Sequence, residues 1–253
     1  MSFLNTNEYN ANEAVDKDVV GGGGFKALAS NVYDFEVNHA YFSTAKSGAK
    51  AVNLELQTSD GNKHRFTVYI TNKEGSIKYK DKQTGEMRYL PGFLTIDALC
   101  LLTCGKTLME VQGMTEKRTL NLYNYEQKRE MPTDVDMLMP VLKQKVKAAI
   151  VERIENKTKK NESTGKYEPT NDKRTTNEIV KFFRERDNLT TAEIRARQTE
   201  AKFMKDWLAV WENKPDDRFK EVAQAGNAGA PGGAFAGGAE PQGTTAGQDN
   251  LFM

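Results

Sequence analysis

"LPGFLTIDALCLLTCGK", residues 90–106, is a short apolar segment whose place between alternating segments decides the fold class. Ile96, Leu99, Cys100 and Thr103 recur at helical spacing, Thr95 is placed as an N-cap and Gly105 as a left-handed stop. The segment predicts a helix fit to plug one end of a small barrel. On its N-terminal side the period is two. Tyr33, Phe35 and Val37 alternate with Asp34, Glu36 and Asn38, and Val52, Leu54 and Leu56 alternate with Asn53, Glu55 and Gln57. After the turn signal "SDGN" (59–62), Phe66, Val68 and Ile70 alternate with Arg65, Thr67 and Tyr69.

On the C-terminal side, "KRTLNLYNYEQKRE" (117–130) predicts a fourth strand. "MPVLKQKVKAAIVERIENKTK" (139–159) predicts a fifth, although its pattern also fits a helix. Three strands, a helix and two strands is the element order of an OB-fold. The expected class is therefore mainly β with added helices: an OB-fold-like five-stranded barrel, a C-terminal helix packed on it, and a disordered C-terminal tail.

The organisation follows from composition. Residues 1–24 read as a flexible arm ending in the hinge "GGGG" (21–24), and 25–160 as the OB-fold-like domain. Residues 161–220 read as a helical extension. In it "TTNEIVKFFRERDN" (175–188) is expected as a short helix and "LTTAEIRARQTEAKFMKDWLAVWENK" (189–214) as a longer one. Thr190 and Glu193 form a capping box there, and Ile194, Ala201, Met204, Leu208 and Trp211 form an apolar stripe widened by Phe203 and Trp207. Residues 221–253 are rich in Gly and Ala and are expected to be disordered; their apolar tip, Leu251, Phe252 and Met253, suits a partner protein.

The chain has 253 residues and a formal net charge of +1, and no Lys or Arg follows Lys220. No apolar run approaches the ~18 residues of a membrane span, and the N-terminus lacks the pattern of a signal peptide, so a cytosolic protein without membrane contact is expected. Cys100 and Cys104 are the only cysteines and share a helix face among leucines, which reads as core. His39 and His64 have no matching spacing, so neither metal nor cofactor is expected. No catalytic constellation is present. Asp134 and Asp136 lack a third carboxylate at metal-site spacing and read as a solvated loop.

Binding chemistry is better represented. Tyr123 and Tyr125 are expected to point outward from one strand, flanked by Arg118, Lys128 and Arg129, while Leu120 and Leu122 fill the core. Tyr69 shares its face with Arg65. Lys78, Tyr79, Lys80, Arg88 and Tyr89 fall on a polar excursion expected to be a mobile loop, and Lys143, Lys145 and Lys147 form a basic stripe. Cations that track phosphates, mixed with aromatic faces that stack bases, suit single-stranded nucleic acid. Each residue taken singly also fits an ordinary solvated strand face.

"FTVYITNKEGSIKY" (66–79), "YLPGFLTIDALCLLTCGK" (89–106) and "TAEIRARQTEAKFMKDWLAVW" (191–211) resemble the single-stranded DNA-binding proteins of tailed bacteriophages. The likeness covers most of residues 1–220. It implies an OB-fold that coats single-stranded DNA with little sequence preference during phage replication, recombination or repair. It further implies no catalysis, a tail that recruits replication or recombination proteins, and residence in the cytoplasm of the infected host. The tail departs from the pattern, since after Glu221 only Glu240 and Asp249 are acidic and Met253 follows Phe252. Two other classes stay open: a non-catalytic protein-interaction or virion-assembly module, and a DNA-processing enzyme built on Asp134 and Asp136.

Overall fold

The computed structural model describes residues 27–124 and 126–222. The predicted arm and glycine hinge, Tyr125, and nearly all of the tail with Leu251, Phe252 and Met253 lie outside the described residues.

The alternation before the helix becomes an antiparallel meander of β1 (Asn31–Thr44), β2 (Lys50–Gln57) and β3 (Lys63–Tyr69). Phe66 faces the core while Arg65, Thr67 and Tyr69 are exposed, as the period of two requires. β1 is the shared strand. Its first half pairs with β8 (Lys145–Lys160), from Asn31↔Ile150 to Glu36↔Lys145. Its second half pairs with β2 on one edge and, at Tyr41↔Met137, with β7 (Arg129–Leu138) on the other. The halves meet at an irregularity between Val37 and His39. Tyr33, Phe35 and Val37 belong to the main core before it, and Ala40 and Phe42 after it. An extra residue shifts which parity points inward.

The chain turns from β7 into β8 at the same place. Val37 accepts from the Lys143 N–H at 2.8 Å and donates to the Gln144 carbonyl at 3.0 Å. Lys143 has a φ of 61°, in the left-handed region.

The main sheet has eight strands, and β4 (Lys78–Lys80) with β5 (Met87–Tyr89) forms a separate two-stranded one. Among the described residues β3 pairs only with β2, so the sheet is open and not the five-stranded closed barrel of the expectation. Further expectations are corrected. Residues 117–130 are not one strand but span parts of β6 (Thr115–Asn124), a turn, and β7, paired from Thr115↔Leu138 to Asn124↔Arg129. Leu120 and Leu122 are only half-buried there and belong to neither core cluster. Asp134 and Asp136 are strand residues of β7, with Asp134 accepting from the Thr119 hydroxyl at 2.6 Å.

Another correction concerns the segment expected as a short helix, much of which lies in β9 (Tyr167–Phe183). β9 pairs antiparallel with β8 along nearly its whole length, so residues 161–220 are not a purely helical extension. Ile150 pairs with Ile179 and Ala149 with Lys181, leaving Val180 as the extra residue of a bulge. Ile179 and Phe182 therefore both reach the main core, while Phe183 is buried in a second cluster on the opposite face.

α1 (Pro91–Cys104) begins a turn earlier than Thr95, with Pro91 at the first helical position. Proline is suited there, because its fixed φ is helical and a first-turn N–H has no intrahelical partner. Gly105 ends the helix at φ 70°, as predicted. Phe93, Ile96, Leu99 and Cys100 bury in the main core, and burial pushes the Cys100 thiol up to about 12. α2 (Leu108–Val111) adds Leu108 and Val111 to that core.

The predicted long C-terminal helix is divided into α3 (Thr191–Arg195) and α4 (Lys202–Trp211). Phe203, Met204, Trp207, Leu208 and Trp211 of α4 pack over Val32, Ala149, Val151, Val180 and Phe183 on the outer side of the sheet. β10 (Asp216–Asp217) then adds a short parallel strand beside β8.

Glu193 joins the two helices. Its carboxylate accepts from the Thr190 N–H at 2.8 Å and hydroxyl at 3.0 Å, completing the predicted capping box, and from the Phe203 N–H at 2.8 Å. Burial alone would raise this carboxyl, but the Phe203 and Thr190 donors outweigh it and hold it below its ordinary value. A depressed folded value contributes stability above the unfolded pKa that is lost as pH falls through the folded one. Glu193→Gln should therefore lower stability at neutral pH by about 1–3 kcal/mol in urea titrations, with the difference shrinking in acid.

Gly92 seats the helix on β3. A Cβ there would stand 2.1 Å from the Tyr69 carbonyl oxygen. Gly92→Ala should lower the thermal midpoint and cost about 1–3 kcal/mol, the range for overpacking a tight contact.

Candidate functional site

The outer face of β1–β3 carries a connected set of polar and charged side chains. From β3 it presents Lys63, Arg65, Thr67 and Tyr69, the last 53% exposed. From β2 it presents Asn53 and Glu55, and from β1 His39, Tyr41 and Ser43, aligned by the register. Asn53 donates to the Ser43 hydroxyl and accepts from the Thr67 hydroxyl, both at 2.7 Å. A hydrogen-bonded row thus crosses the meander and fixes the strands that carry Tyr41 and Tyr69.

Glu55 lies beneath the cations of this face with only 5% of the residue exposed. Its carboxylate accepts from Arg65 Nε at 3.0 Å, with Lys63 Nζ at 3.3 Å and His39 Nδ1 at 3.5 Å. Burial works to raise this carboxyl, and Arg65, then Lys63, with His39 beside them, bring it below its ordinary value. The guanidinium of Arg65 stays largely in solvent, since its side chain is 76% exposed. The buried carboxylate orients it without consuming its exposed edge. Burial raises the Tyr41 hydroxyl, with Arg65 opposing and Glu55 adding to the shift, which places Tyr41 in the same electrostatic cluster.

Lys143, Lys145 and Lys147 lie across from the β1 acids. Lys143 Nζ donates to Glu36 and Asn38, each at 3.0 Å, and Lys147 Nζ is 3.6 Å from Asp34. Lys145 is paired in register with Glu36. The stripe exists, but acids on the neighbouring strand compensate much of its charge.

Lys78, Tyr79, Lys80, Arg88 and Tyr89 stand in register across the β4–β5 hairpin, not on an irregular loop. Its turn is built on Asp81, which accepts from the Gln83 N–H at 2.8 Å and the Thr84 N–H at 3.0 Å. Arg88 is held 3.3 Å from Asp81. Tyr89 stacks on Phe93 at 5.5 Å, and Lys78 Nζ lies 4.5 Å from the centre of the Tyr89 ring. Tyr79 is exposed. Tyr123 is exposed on β6, cross-strand from Glu130, and Tyr125 lies outside the described residues.

The predicted residues thus fall into four groups: Arg65 with Tyr69, the three lysines beside the β1 acids, the hairpin set and Tyr123. Tyr41, Lys63, His39 and Glu55 join the first group without having been singled out in the sequence. Lys63 is visible in the period of two that selects Arg65. Tyr41 is not, because a period of two carried on from Val37 turns it inward, and the β1 bulge reverses that.

A scan against protein-family models finds no match, and no curated protein matches the sequence.

Glu55→Gln preserves shape while removing the charge beneath Arg65 and Lys63. Stability at neutral pH should fall by about 1–2 kcal/mol, because hydrogen bonds to a charged group are removed. The sign follows from the depressed folded value: the wild-type advantage is present above the ordinary carboxylate range and disappears as pH falls below about 4. Urea midpoints measured across this range check it.

Proposed function

We propose that this protein is a non-catalytic single-stranded DNA-binding protein that carries the strand across the outer face of β1–β3. The arrangement that carries this reading is Tyr69 and Arg65 side by side on β3, with Lys63 and Tyr41 on the same face and Glu55 orienting the cations beneath. Bases stack on the tyrosine rings while the guanidinium and ammonium groups meet phosphates, a combination indifferent to base identity. The proposed fold is an OB-fold-like Greek key left open at β3. The support for it is a first strand shared between a meander and later strands, with α1 placed between the two sets. The strands 2–3 face is where OB-folds hold oligonucleotides.

The proposed role is coating of single-stranded DNA during phage replication, recombination or repair in the cytoplasm of the bacterial host. In this reading Leu251, Phe252 and Met253 recruit replication or recombination partners. The pairing of Lys143 and Lys147 with Glu36 and Asp34 favours a second reading, a protein-interaction or virion-assembly module, because it leaves less free positive charge for phosphate.

Fluorescence titration with oligo-dT separates the two. The first reading expects quenching on binding, affinity that falls as salt rises, and a loss of about 1–3 kcal/mol, roughly 5- to 150-fold, in Tyr69→Ala. Arg65→Ala should weaken binding and flatten the salt dependence. Equal saturation by duplex and single strand overturns the first reading, and failure to bind any oligonucleotide at low salt favours the second.

A further inference from the structure

β8 and β9 run 16 and 17 residues and outlast the rest of the sheet. Buried residues on them end at Val151 and Ile179, whereas the ladder continues to Lys160↔Tyr167. At ~3.3 Å per residue the ribbon carries Lys160 about 23 Å beyond Arg153.

Charge is distributed unevenly along this arm. At its base each cation has an acid: Arg153 pairs with Glu178 and Asp216, Arg174 with Glu155, and Lys173 with Asp217. Beyond the base, Lys157, Lys159, Lys160 and Lys166 have no carboxylate within ion-pair distance among the described residues. Glu168 stands opposite Lys159 in register, but it accepts from the Asn161 amide at 2.9 Å. Asn161 also caps the turn by accepting from the Ser163 N–H at 2.9 Å, and Gly165 supplies a φ of 69°. The lysines are therefore presented from a defined turn. Between them Tyr167 is 70% exposed, the most exposed of the large apolar side chains described, and is cross-strand from Lys160.

Lysine on an exposed edge is a common guard against strand pairing. That role does not account for a bare aromatic ring among the lysines at the ribbon's end. We propose that the distal end of the β8–β9 hairpin is a second contact for single-stranded DNA, with Tyr167 stacking on a base and Lys157, Lys159, Lys160 and Lys166 meeting phosphates. The proposal rests on the reading of the β1–β3 face as a DNA-binding surface. A polyanion fits better than a protein partner, because the tip offers four lysines against Glu162 and Glu168, and one ring but no apolar patch. In this proposal a short oligonucleotide is held by the β1–β3 face alone, and a longer one engages both.

Two variants of the full chain test this: Tyr167→Ala, and a neutralised arm carrying Lys157→Gln, Lys159→Gln, Lys160→Gln and Lys166→Gln. Each is titrated with oligo-dT of about eight and about thirty nucleotides. The expected result is unchanged affinity for the short oligonucleotide in both variants. For the long one, affinity in Tyr167→Ala falls about fivefold or more. The salt slope of the neutralised arm decreases by up to about 3, at ~0.7 for each phosphate no longer neutralised. Thermal midpoints should match wild type, since these side chains lie outside the core.

If Tyr69→Ala weakens both lengths while the arm variants change neither, the arm proposal is overturned and the face reading stands. Equal weakening of both lengths by the arm variants also overturns it, because the arm would then not be a separate contact. Unchanged titrations with altered sedimentation would overturn it too and make the tip a protein contact. Wild-type protein that binds neither oligonucleotide at low salt overturns both readings.

Discussion

The bulge between Val37 and His39 is the constraint on which the other elements depend. A regular β1 would send His39 and Tyr41 into the core and Ala40 and Phe42 to solvent, because side chains alternate strictly. The irregularity reverses the parity at mid-strand, so one strand supplies an inward face to β8 in its first half and to β2 and β7 in its second. The corner that joins β7 to β8 closes against the same point, through the Val37 and Lys143 backbones. That corner gives Lys143 a structural duty in addition to its charge.

Local packing converts this frame into a usable surface. Gly92 lets α1 sit against the Tyr69 carbonyl, so the core helix and the exposed aromatic residue are positioned by one contact. The Ser43–Asn53–Thr67 row locks the strands laterally, and Glu55 supplies a buried negative charge beneath Lys63 and Arg65. A carboxylate in that place costs desolvation, which the surrounding cations offset. At the other end of the sheet, α4 covers the apolar outer residues and removes them from the exposed face.

The period of two made β1, β2 and β3 legible, including the outward set Arg65, Thr67 and Tyr69, because each strand has one buried and one solvated face. Gly105 as a helix stop and the Thr190–Glu193 capping box were also legible, since both depend on residues within a single turn. β9 was hidden for a definite reason. Ile179, Phe182 and Phe183 stand at i, i+3 and i+4, the spacing of a helical stripe. A bulge at Val180 brings the first two to one face, and Phe183 is buried on the other by Trp207 and its neighbours. The turn between Asn124 and Arg129 was hidden because polar residues continue through it without a Gly or Pro to mark it.

The mainly β class, the meander, the apolar core helix and the alternation that exposes Tyr69 and Arg65 are legible in the chain alone. All of these follow from side-chain periodicity and from backbone preferences acting within a few residues. Long-range pairing sets the rest: β1 changes parity at its centre, β9 is a strand, and Tyr41 joins Arg65 above Glu55. The same pairing sets Lys145 and Lys147 opposite acids of β1 and Lys160 opposite Tyr167. Those outcomes depend on which residue lies opposite which, and cross-strand register is set by long-range pairing and bulges that leave no local mark in the chain.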